Sequence, residues 1–129
     1  MLEIELTGQS LIIHMRGIYR FLALRRRVEC ALAHVREIVP KVSPALLALP
    51  LRATYKVGSR LPGRLIIGSF GRGGDTNFYA IRTGERAITI TLEHERYAAL
   101  IVEVEDPAAM ASAIGAAAAR ATAARGTGG

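Results

Sequence analysis

Cys30 and His34 are the closest this chain comes to a nucleophile with a base beside it. A thiol gains nucleophilic power when a neighbouring imidazole or cation draws off its proton. The surrounding pattern argues against that use. Arg27 and Glu29 alternate with Val28 and Cys30, which turns the cysteine inward, where a thiol behaves as a small inert apolar group. His14 and His94 stand apart, and no Cys-x-x-Cys or His-Glu-x-x-His spacing marks a zinc site. Glu93-His94-Glu95-Arg96 collects acid, base and cation on one loop, but neighbouring charges on a turn are ordinarily solvated. Gly71-Arg72-Gly73-Gly74-Asp75 has the glycine density of a phosphate loop, without the following helix or Gly-Lys-Ser/Thr that phosphate binding needs. No catalytic residue, no metal and no cofactor is expected.

Charge on a surface is the remaining resource. The chain has 17 lysines and arginines against 11 acids, a net charge of +6, and only Lys41 and Lys56 are lysines. Such an excess favours phosphate-bearing surfaces, although heavy Arg, Ala and Gly usage also follows from a GC-rich coding sequence. Arg16, Arg20, Arg25, Arg26 and Arg27 bracket Ile18, Tyr19, Phe21 and Leu22. Apolar tips ringed by arginine suit an anionic membrane interface, where each basic residue contributes about 1 kcal/mol. The candidate surface is therefore Arg16, Tyr19, Arg20, Phe21, Arg25, Arg26 and Arg27, facing an anionic lipid, a phosphate-bearing ligand or a protein partner. The plainer reading packs the aromatics onto the fold and leaves the arginines solvated. Nucleic acid is not the expected partner: the arginines are spread along the chain, and no RNP-type strand, helix-turn-helix or zinc finger is present.

The elements that must carry these residues are mostly strands. At 129 residues and 50% apolar composition the chain makes one domain with a sizeable core. Leu2, Ile4 and Leu6 alternate with Glu3 and Glu5, and Leu11, Ile13 and Met15 follow a turn at Thr7-Gly8-Gln9, a predicted hairpin. Residues 16–25 read as a long loop or a single helical turn, and short strands follow at 27–30 and 36–39. Pro40, Pro44, Pro50 and Pro62 predict a long loop over 40–63. Strands resume at Arg64–Phe70, Phe78–Ile81, Ala87–Leu92 and Ala99–Val104, joined by turns at 71–75 and 83–85. In the sharpest of them Ile88, Ile90 and Leu92 point one way and Ala87, Thr89 and Thr91 the other.

Asp106-Pro107 opens a C-terminal helix over about 107–124, the aspartate as cap and the proline at the first helical position. Met110, Ala113, Ile114, Ala117 and Ala121 give it a thin apolar stripe. Arg120 and Arg125 suit its negative end, Gly126 is a natural stop, and 126–129 is expected to be a disordered tail. Gly115 predicts a close approach of this helix to the sheet, since glycine in a helix interior otherwise costs about 1 kcal/mol.

Short strands closed by one terminal helix give the layout of pleckstrin-homology (PH) domains. The wording resembles bacterial PH-like proteins, small uncharacterised ones from high-GC bacteria in particular. The matching residues are Ile4-Glu5-Leu6 with Leu11-Ile12-Ile13, and Arg25-Arg26-Arg27-Val28-Glu29 leading to Leu32-Ala33-His34-Val35. Leu61-Pro62-Gly63, Gly68-Ser69-Phe70, Phe78-Tyr79-Ala80-Ile81-Arg82 and Val102-Glu103-Val104-Glu105-Asp106-Pro107 continue it. The resemblance spans about residues 2–120, and its motifs are structural. It implies a mainly β fold: a single domain over 1–125, a barrel of about seven antiparallel strands capped by the helix. The resemblance says little about function; the favoured expectation is a non-enzymatic PH-like binding or scaffold module that presents loops or a strand edge to a protein partner or a second copy of the chain. An anionic membrane surface reached through residues 16–27 is the second reading, although the lysine-centred phosphoinositide motif of eukaryotic PH domains is missing. A lone cysteine and an N-terminus without a basic, apolar leader suggest a cytoplasmic protein, peripheral at the inner membrane face under the second reading.

Overall fold

Alternation in the N-terminal strands builds a small antiparallel sheet of β1 (Leu2–Leu6), β2 (Ser10–Met15) and β3 (Arg27–Ala31), in that order. The computed structural model describes residues 2–17, 20, 23, 26–61, 65–73, 75–82 and 85–128, with backbone alone at 61 and 125–128. Thr7 closes the first turn, its hydroxyl oxygen accepting the Ser10 N–H at 2.8 Å. Leu11, Ile13, Met15, Val28 and Cys30 line the core side, with Leu2, Ile4 and Leu6 packed against them. Glu3, Glu5, Arg27 and Glu29 face out, as the alternation predicts. A 3-10 turn, Leu32–His34, then carries the chain into a second sheet.

That sheet has six strands: β4 (Val35–Val39), β5 (Tyr55–Leu61), β6 (Leu65–Arg72), β7 (Asp75–Ile81), β8 (Ala87–Leu92) and β9 (Ala99–Glu103). Their order is β4-β8-β9-β7-β6-β5. β9 enters between β7 and β8 and runs parallel to β7. The reason lies in its residues. Leu100, Ile101 and Val102 are at most 1% exposed, so β9 needs cover on both faces and takes a central place.

Each face of the larger sheet has its own core. Ile67, Phe78, Ile88, Ile90, Leu100 and Val102 pack towards the small sheet and the C-terminal helix, α2 (Pro107–Gly128). That helix contributes Ile114, Ala117, Ala118 and Ala121, and Asp106 caps it by accepting the Ala109 N–H at 3.1 Å. Phe70, Tyr79, Ile81, Ala87, Ala99 and Ile101 line the other face beneath a second helix, α1 (Pro44–Arg52).

Four expectations change here. The described strands do not close into a barrel of about seven antiparallel strands; they form nine strands in two sheets, with one parallel pair. Alternation fixes which way a residue faces, but it does not fix which strand lies alongside. Within the long loop expected over 40–63, the described residues form α1 followed by β5. Ser43 caps α1 through the Leu46 N–H at 3.2 Å, and Pro44 stands at the first turn, where its missing donor costs nothing. Gly115, finally, is exposed, and a Cβ there would meet nothing within 4 Å, so it marks no close approach to the sheet. The helix itself runs on to Gly128, past the expected stop at Gly126.

Candidate functional site

The arginine-rich segment is only partly described: Tyr19, Phe21 and Arg25 lie outside the described residues. Arg16, just after β2, is ion-paired with Glu3 on β1. Arg27 opens β3 and pairs with Glu29 at 2.7 Å. Arg26 is exposed, and its carbonyl accepts the Met15 N–H at 2.7 Å. Arg20 is exposed and its N–H reaches the Gly17 carbonyl at 3.2 Å, while Ala23 is buried in the first core. The segment is thus pinned at both ends, and two of its cations already have carboxylate neighbours.

Cys30 and His34 do belong to one neighbourhood, but Glu95 organises it. His34 Nδ1 lies 2.5 Å from the Glu95 carboxylate, which also accepts the Ala31 N–H at 3.3 Å. The His94 ring meets the His34 ring edge-on at 5.9 Å, from a backbone held at φ 58°. These contacts clamp the β8–β9 loop onto the crossover between the sheets. Burial pushes the Cys30 thiol up to about 12, and the carboxylates of Glu95 and Glu29 push in the same direction. At neutral pH the thiol keeps its proton, which suits a buried apolar group in a corner that holds two sheets together. Among the described residues no group of three His, Cys, Asp or Glu could hold a metal ion.

A groove of about 860 Å³ runs between β1, the end of β9 and the start of α2. Leu2, Ile4 and Met110 form its apolar wall; Arg82, Arg86 and Glu103 stand among the charged groups opposite. The Glu103 carboxylate accepts the Arg82 N–H at 3.2 Å, and the Arg86 carbonyl the Val104 N–H at 2.9 Å. Both charge signs meet on the same wall, which gives the groove no clear preference for an anion or a cation.

The opposite end of the larger sheet is different in kind. No acid occurs between Glu37 and Asp75, whereas Lys41, Arg52, Lys56, Arg60, Arg64 and Arg72 all fall there. Elsewhere in the chain the remaining 11 basic residues match the 11 acids, so this stretch carries the entire net charge of +6. It folds as the end of β4, α1, β5 and β6. Lys56 and Arg60 lie opposite Phe70 and Ile66, which sets them on the α1 face of the sheet. Arg72 reaches the Arg52 carbonyl at 3.3 Å, joining the end of β6 to the end of α1. Leu51 is 61% exposed and Tyr55 45%, and both belong to this corner. Among the described residues, none of Lys41, Arg52, Lys56, Arg60 and Arg72 takes part in an ion pair.

No family model, no curated protein and no solved structure matches the chain. No described helix is long and apolar enough to cross a membrane. The basic corner carries no cluster of arginines in the sequence. The signal was the long interval without a carboxylate, in which well-spaced cations go unneutralised.

Proposed function

We propose that this chain is a non-enzymatic binding module that engages a partner protein or a second copy of itself. The observation that supports the reading is the corner of exposed Leu51 and Tyr55 at the start of β5, one of the two outer strands of the larger sheet. Holding large apolar side chains in water on fixed backbone forgoes roughly 1.5–3 kcal/mol per fully buried side chain, which a partner covering them recovers. An outer strand also offers an extended surface on which another chain aligns. Within this proposal, the helix lying over one face of the strands supports a PH-like likeness; the strand order does not.

Cross-linking in the native cell, followed by purification of the tagged chain, tests the reading, with size-exclusion chromatography in parallel. A reproducible protein partner or a homo-oligomer is the expected result. A chain that stays monomeric and cross-links to nothing ends the proposal.

A further inference from the structure

Resting on that reading, we infer that the partner presents an acidic, extended segment that lies along β5, with carboxylates set against Lys56 and Arg60 and apolar side chains against Leu51 and Tyr55. Three observations carry it. The full net charge of the chain comes from residues 38–74, and the described cations there have no ion-pair partner among the described residues. Unneutralised charge of one sign steers a ligand of the other sign and rejects like-charged competitors.

The second observation is spacing. Lys56, Gly58 and Arg60 alternate on one face of β5, so the two cations stand four residues apart along a strand, about 13 Å. An extended chain running beside β5 repeats at the same interval, which brings acids four residues apart opposite both cations. The third is position. β5 ends the sheet, pairing with β6 on its other side, and Leu51 and Tyr55 stand at the end where α1 meets β5.

These features favour a polypeptide over a bilayer. Lys56 and Arg60 lie along an outer strand, whose backbone edge a polypeptide can pair with and a bilayer cannot.

The test uses the full chain and a short fluorescein-labelled peptide of alternating glutamate and threonine, read by fluorescence anisotropy. Binding is expected, and it should weaken as salt rises. Lys56→Glu with Arg60→Glu should weaken it at least about tenfold, while Arg16→Ala with Arg27→Ala should leave it unchanged. Lys56→Gln with Arg60→Gln, which removes charge without reversing it, gives the same direction if the reversed pair fails to fold. A glutamate peptide that ignores the protein, or binds both charge variants as tightly as the original, overturns the inference. So does sedimentation with phosphatidylglycerol vesicles, lost in those variants, in a protein that ignores the peptide. Cross-linking separates this from the module itself: a native partner still captured by the charge variants keeps the module and removes this surface.

Discussion

The hydroxyl of Tyr79 donates to the backbone carbonyl of Leu46 at 2.6 Å. Leu46 is four residues before Pro50, so in an unbroken helix its carbonyl would receive the N–H of residue 50. Proline has none. The tyrosine reaches up from the sheet and satisfies the acceptor that the proline leaves open. Burial holds the Tyr79 phenol above its ordinary pKa, with a hydrogen bond involving Asn77 acting in the other direction, so it remains a donor. Thr89 makes a comparable bond to the Lys41 carbonyl at 2.7 Å, and together the two hydroxyls fasten the segment before and within α1 to the sheet.

Tyr79→Phe should therefore destabilise the fold by about 1 kcal/mol or more, the cost of leaving a part-buried acceptor unsatisfied. In a Pro50→Ala background the alanine N–H can serve Leu46, and the same change should cost clearly less. Urea denaturation of the four proteins checks this. Equal costs in both backgrounds would show that the hydroxyl does not stand in for the missing amide.

Gly58 and Gly68 face each other across β5 and β6, at φ 147° and 135°. A Cβ on either would lie 2.6 Å from the Cα of the other, and the nearest atoms are backbone that cannot turn away. Positive φ adds its own strain for any other residue. Gly58→Ala or Gly68→Ala should lower stability by about 2 kcal/mol or more. Because β5 bears the proposed docking face, Gly58→Ala should also weaken acidic-peptide binding while α2 keeps its helical circular dichroism.

Which side each strand residue faces was legible from alternation. Leu11, Ile13, Val28, Cys30, Ile88, Ile90, Leu100 and Val102 all reach the core on the expected side. Neighbour relations were not. The apolar run Ala99-Leu100-Ile101-Val102 asks for cover on both faces, but nothing local in it names β7 as the second neighbour of a strand that follows β8. The missed α1 is a different failure. Ser43-Pro44 carries the same start signal as Asp106-Pro107, a capping side chain followed by proline in the first turn. Four prolines nearby outweighed it, and the compensation for Pro50 comes from Tyr79, whose bond to Leu46 spans 33 residues. The basic corner was hidden for a related reason: its cations are scattered in sequence, and Arg52, Lys56, Arg60 and Arg72 come onto neighbouring elements only once α1, β5 and β6 have packed.

Gly115 gives a prediction of opposite sign. It sits within α2, exposed, with open space where a Cβ would project. Alanine there removes backbone entropy from the unfolded chain and adds no clash, so Gly115→Ala should stabilise by about 0.5–1 kcal/mol. A thermal melt that falls in the alanine variant would mean that the helix packs against something at that position.

Cys30 supplies the pH dependence. Its thiol, ordinarily at 9.0, is raised by burial to about 12 in the folded chain. The folded state thus holds this proton more tightly than the unfolded state does. The resulting stabilisation is fully present below about pH 9 and declines as pH rises from there towards 12. Lysines and tyrosines titrate over the same range, so the informative quantity is the difference between the original chain and Cys30→Ala. The alanine variant removes buried volume and should be less stable at about pH 7, yet the gap should narrow between about pH 9 and 11, measured as urea midpoints. The folded chain should likewise resist iodoacetamide at about pH 8 and react once urea opens it, because alkylation requires an exposed thiolate. Rapid labelling of the native chain under those conditions, or a stability gap that stays constant up to about pH 11, would show that the thiol is neither shielded nor held protonated by the fold.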